Sequence, residues 1–305
     1  MTTRFANLDL SKLPAPWAIR ATYEGILAAR MQDLVARFAA AGVTYDVGAL
    51  ETDPAKILQE VDSYRELLAD QRINEAVLAT SLAYATGADL DVIAANFKTV
   101  RAAGETDASL RLRAQLAWEN LSIGGSYGGY EYQARTVAPV DIADCAVYGH
   151  EIAAVPKGEV RIVLLGATAN GAVPLSLLQR VAGALSPRDI RKVNDQINVV
   201  QATIVPYTVA LTLVLRPGAD ATAVRDAQYR AVLAYVTSRR AIAAPVTFGG
   251  IMAAAGHDDA GYVTDVEMTA PWSGALNISA LAPIGGGVFE APICTGVQML
   301  VRAAS

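Results

Sequence analysis

The chain has 305 residues, 53% of them hydrophobic and only 18% charged against a typical quarter, with a formal net charge of −5. A chain of this length buries two or three compact cores, and its acidic balance, with a pI near 5.2, excludes a protein that holds nucleic acid by neutralising phosphates. The longest apolar run, residues 203–215, is broken by Pro206 and too short to span a membrane, and the amino terminus lacks the basic-then-apolar order of a secretory signal, so synthesis in a cytoplasm is expected. Sparse charge and a mean hydropathy of +0.29 imply that partners cover part of the surface, although alanine accounts for some of that hydropathy.

In chain order, Pro16 is expected to open a helix over residues 17–41, with Ile19, Tyr23, Ile26, Leu27, Met31, Leu34 and Phe38 as a broad apolar stripe and Gly42 as its end. A second helix is expected to start at Asp53, whose side chain caps free amides, with Pro54 at the first helical position where a missing N–H costs nothing. Carried to Gly87 it would be about 50 Å long at 1.5 Å per residue. Its apolar residues Ile57, Val61, Tyr64 and Leu68 recur at spacings of three and four, and Leu78, Leu82 and Ala85 resume the spacing after Gln71 and Arg72. That is one seam with a register break. Periodicity alone leaves two readings open: a helix packed inside its own domain, or one that buries its seam on another chain.

Short helices are expected over residues 88–96, 106–121 and 127–137, followed by β-type runs at 145–148 and 159–165, a helix over 174–185 and a strand at 197–200. A similar order recurs: an alternating strand at 208–215, helices over 220–237 and 247–255, and a strand at 263–268. This suggests two small α/β modules, a diverged repeat too irregular for a solenoid. Beyond residue 271, Gly285, Gly286 and Gly287 separate two β-prone stretches, and the second carries Phe289, Ile293, Val297 and Leu300. Such a segment needs a neighbour, either a strand of its own chain or another subunit. The expected class is therefore α+β: a helical arm over residues 1–100, helices with a first α/β module over 101–205, a second module over 206–270, and a β-rich tail over 271–305.

The sharpest catalytic pattern is Gly124-Gly125-Ser126-Tyr127-Gly128, which satisfies G-x-S-x-G. A nucleophile elbow needs a strand leading into the serine, whereas residues 110–121 read as helix, so Ser126 is better read as a helix cap; a serine hydrolase with His150 or His257 is the rival function. His257, Asp258 and Asp259 carry donors for a hard cation but sit in a Gly-flanked loop that reads as a solvated turn. Asp89 and Asp91 could be taken for paired acids, but are better read as residues of a helix start, where carboxylates meet free amides. The basic groups at Arg188, Arg191 and Lys192 and at Arg239 and Arg240 read as solvated helix ends or loops. Cys145 and Cys294 lack a CxxC spacing and metal-ligand neighbours, and are expected as buried thiols. No glycine cluster ends in Gly-Lys-Ser/Thr, so no nucleotide, metal or other cofactor is expected.

The run YRELLADQRINEA at residues 64–76, followed by YATGADLDVIA at 84–94, resembles the signature of the baseplate J-like family, wedge proteins of contractile phage tails and related injection particles. Residues 122–134, reading SIGGSYGGYEYQA, and residues 190–200, reading IRKVNDQINVV, are similar to later family stretches in the same order. The resemblance covers roughly residues 53–270. It implies a structural subunit and no enzyme, located in the virion tail baseplate after assembly in the bacterial host cytoplasm. Its implied partners are a second copy of the chain, a small wedge protein, neighbouring wedge subunits and the tail hub or fibre-attachment proteins, with neither nucleic acid nor membrane. The residues expected at subunit interfaces are Leu27, Met31, Leu34, Ile57, Val61, Tyr64, Leu68, Leu78 and Leu82 in the arm, and Phe289 and Ile293 in the tail.

Overall fold

The computed structural model describes residues 7–16, 18–46, 50–122, 125–188, 190–258, 260–272 and 282–304. They form two compact units, Leu8–Val100 and Arg101–Ser305, the second also taking in Asn7, and the class is α+β.

The first unit is helical. Helix α1 spans Tyr23–Ala40 and begins where the Thr22 hydroxyl accepts from the Gly25 amide, not at Pro16 as the sequence suggests. Residues 18 and 19 cannot join it, because the Asn74 side chain holds their backbone. Helix α2, Pro54–Ala79, is capped by Asp53, which accepts from the Lys56 amide at 2.8 Å. It has 26 residues and is about 39 Å long, shorter than expected, because the chain turns at Thr80 and Ser81. Helix α3, Gly87–Asn96, then starts at a glycine with φ of 54°. Asp89 lies in its first turn, where the free amides favour a carboxylate. Ile19 beside Asn74, Arg30 beside Asp62 and Glu66, and Tyr45 beside Asp53 make α1 and α2 an antiparallel hairpin.

The second unit opens with α4, Asp107–Leu116, which ends earlier than the expected residue 121 and passes into a 3₁₀ turn at Glu119–Leu121. Helix α5, Tyr127–Val137, follows, and then the antiparallel pair β1, Ile142–Tyr148, and β2, Glu159–Gly166. Helix α6, Leu175–Leu185, crosses over to β3, Gln196–Gln201, which runs parallel to β2. One residue later the chain enters β4, Thr203–Leu215, the central strand of a second sheet. Helices α7, Ala221–Ser238, and α8, Phe248–Gly256, cover one face, and β5, Val263–Ala270, and β6, Glu290–Ala303, flank β4 antiparallel and parallel.

Each sheet thus has a central strand with one antiparallel and one parallel neighbour. The modules differ in chain order, since the antiparallel strand precedes the centre in the first and follows it in the second. The tail is no separate element. Strand β6 pairs with β4 from Thr203↔Glu290 to Leu215↔Ala303, so the neighbour it needs belongs to its own chain. Cys145 is buried as expected, whereas Cys294 is half-exposed. Among the described residues no helix is long and apolar enough to cross a membrane.

Candidate assembly interface

Helix α2 is built inside out. The side that meets α1 is largely polar: Ser63 is fully buried and returns its hydroxyl to the Gln59 carbonyl, and buried Asn74 binds the extended segment at Ala18 and Ile19. Arg30 of α1 completes this side, donating to Gln59 at 3.1 Å, Asp62 at 3.1 Å and Glu66 at 2.8 Å. At the connected end of the hairpin the Tyr45 hydroxyl donates to Asp53, and that bond to a carboxylate pushes the phenol up to about 12. The same bond holds the Asp53 carboxyl below its ordinary range. Phe38 stacks on Tyr45 at 5.2 Å and closes that end with apolar contact.

The apolar seam faces the other way. Ile57, Val61, Tyr64 and Leu68 fall within a narrow sector of the helix, opposite Gln59 and well round from Ser63 and Asn74, and are 42–56% exposed. An exposed strip of four large apolar side chains on one helix is the pattern of a surface awaiting a partner, because single exposed residues are common and aligned ones are not. Leu58, at 64%, and Ile73, at 46%, are also exposed but lie on other sides of the helix, about 90° and 150° round from the strip at 100° per residue.

The other arm residues separate from this strip. Leu27 and Leu34 are half-buried on the same side of α1 as Arg30, so they contribute to the hairpin, and Met31 is half-buried beside them. Leu78 is half-buried near the end of α2, and Leu82 lies in the turn beyond it, so the expected continuation of the seam leaves the helix after Leu78. Ala85 is buried with Leu90 and Ala94 in the interior. In the tail, Ile293 is 3% exposed, and the half-buried Phe289 packs beside it with Tyr148, so both make contacts within their own chain.

Ser126 does not form a nucleophile elbow. It follows a 3₁₀ turn and caps α5, its hydroxyl accepting from the Gly129 amide at 3.0 Å and donating to the Glu119 carbonyl at 2.9 Å. His150 lines the adjoining cleft with Ser126, but both directions of the hydroxyl are committed to backbone. Asp258 accepts from the amides of Ala260, Tyr262 and Val263, as a turn residue does, while Asp259 lies outside the described residues, as does Gly124.

A helical hairpin that turns its apolar strip outward, joined in sequence to a pair of α/β modules, defines a structural assembly protein. Residues 51–105 match the Baseplate J-like N-terminal domain, a span that contains all of α2 and its strip. The chain is also 36% identical to baseplate protein J of Escherichia phage P2 over 285 residues, covering 87% of this chain and 90% of that protein. The chain therefore belongs to the baseplate J protein family, the structural proteins of the phage tail baseplate.

Proposed function

We propose that the chain is a wedge subunit of a contractile phage tail baseplate or a related injection particle. In this reading the α2 strip of one copy packs with that of a second copy and with a helix of a small wedge protein. Wedges then join into a ring around the tail hub, and the ring widens as the sheath contracts. The subunit acts in the virion and assembles in the host cytoplasm; its work is mechanical and involves no catalysis, a rigid bundle passing force while interfaces between subunits exchange one packing for another.

The observation that carries this reading is the inverted polarity of α2, with Ser63 and Asn74 buried and Ile57, Val61, Tyr64 and Leu68 exposed. Such a helix gains its apolar burial only from a further chain. Leu68→Asp tests it. The free chain should keep its fold, its stability changing by no more than about 0.5 kcal/mol as for other surface substitutions, while wedge assembly is lost because a carboxylate enters an apolar seam. An unfolded free chain, or normal assembly, contradicts the reading.

A further inference from the structure

The connection between α7 and α8 does more than join two helices. Each anchor along residues 239–246 reaches a different part of the α/β body. The Arg240 guanidinium donates to the carbonyls of Gly166, Ala167 and Thr168 at the end of β2. The Ile242 amide donates to Asp144 Oδ2 on β1 at 2.8 Å, and the Ile242 side chain is buried with Tyr148, Val163 and Leu165 of the first sheet and Ala291 and Ile293 of the second. The Ala243 amide donates to the Glu290 carbonyl at the start of β6, and Val246 exchanges two backbone bonds with Ile284.

Asp144 is prepared for this contact. Its other oxygen accepts from Arg135 of α5 at 2.8 Å and from the Cys145 amide at 2.9 Å, and Arg135 is itself paired with Glu131. A charged acceptor held this way in a buried site makes a strong bond to the Ile242 amide and is costly to leave without one. A bulge between Ile142 and Asp144 interrupts the β1 ladder at this point, a device that re-aims a side chain. Close packing completes the joint: a Cβ on Gly171, which has a φ of 73°, would come within 3.3 Å of Leu165, Ile204 and Ile293, residues of both sheets.

We propose that residues 239–246 form a strap that fastens the two α/β modules into one rigid lever, with Asp144 as the positioning residue that receives it. The modules do not hinge on one another while the strap is seated, so rearrangement is left to the interfaces between subunits. The strap is independent of which partner covers α2.

Hydrogen exchange on the full chain tests the strap. In Asp144→Asn the amides of residues 239–246 should exchange roughly ten- to a hundredfold faster, the size expected for losing a bond to a charged acceptor, while the β1–β2 and β4–β6 ladders keep their protection. Unchanged strap amides, or equal acceleration throughout both sheets, overturn the proposal. Should Asp144→Asn fail to fold, Arg240→Gln decides: acceleration confined to residues 239–246 supports the strap, and none overturns it. Spin labels at Ala143→Cys and Gln298→Cys, in a chain with Cys145 and Cys294 replaced by alanine, read the lever directly. A narrow distance distribution that broadens with Arg240→Gln is expected, and a distribution already broad without it overturns the rigid joint.

Discussion

Asn74 closes both hydrogen bonds of Ile19: its Oδ1 accepts from the Ile19 amide at 2.9 Å and its Nδ2 donates to the Ile19 carbonyl at 2.8 Å. The same oxygen also takes the Ala18 amide at 3.1 Å. A buried amide with this many fixed partners sets the rotation of α2 about its own axis, and therefore fixes which side carries the apolar strip. Asn74→Ala leaves those backbone groups unmatched and should cost about 1–3 kcal/mol of local stability. Hydrogen exchange at residues 18–22 would rise while β1 and β2 stay protected; a uniform response across the chain contradicts this role.

The strip also has a charge pattern. Ile57, Val61, Tyr64 and Leu68, spaced four, three and four, occupy d, a, d and a positions, which puts Glu60 at g and Arg65 at e. In a parallel pair the g residue of one helix lies beside the e residue of the partner's following heptad. Glu60→Arg should weaken self-association of the chain, and Glu60→Arg with Arg65→Glu should restore it, as read by sedimentation at low salt. Equal association of the single and double variants argues against parallel pairing of two copies.

Ser126 caps α5, so Ser126→Ala should lower stability by about 0.5–2 kcal/mol in a denaturant titration. Neither form should hydrolyse generic esters. A turnover present in the parent chain and absent from the variant would revive the hydrolase reading.

Much of the fold was legible because local chemistry agreed with the final packing. The α5 span coincides with the expected residues 127–137, since Ser126 caps it and its apolar residues meet β1. The strip on α2 was legible for the same reason. What misled was periodicity that outlasts its helix: Ala85 keeps the seam's spacing, but it is buried after a turn at Thr80 and Ser81. Residues 18–22 carried helix-like apolar spacing and were overruled by a polar residue 55 positions from Ile19, the Asn74 that holds it. Nothing local could have announced that contact. Strand β6 was recognised as needing a neighbour, but the identity of that neighbour, β4, is a long-range fact that both of the open readings shared in sequence. The strap at residues 239–246 was equally hidden, because Arg239 and Arg240 look like any solvated helix end until Arg240 meets the carbonyls of residues 166–168.

The central claim is that another chain covers the α2 strip in the assembled particle. Tyr64→Cys places a thiol at an exposed seam position in a chain whose native cysteines, buried Cys145 and half-exposed Cys294, can be replaced by alanine. Labelling by a water-soluble maleimide should be rapid in the free chain and at least tenfold slower in intact baseplates, with a control cysteine at exposed Asp33 labelled at the same rate in both. Equal labelling of position 64 in the free chain and the particle would contradict the account.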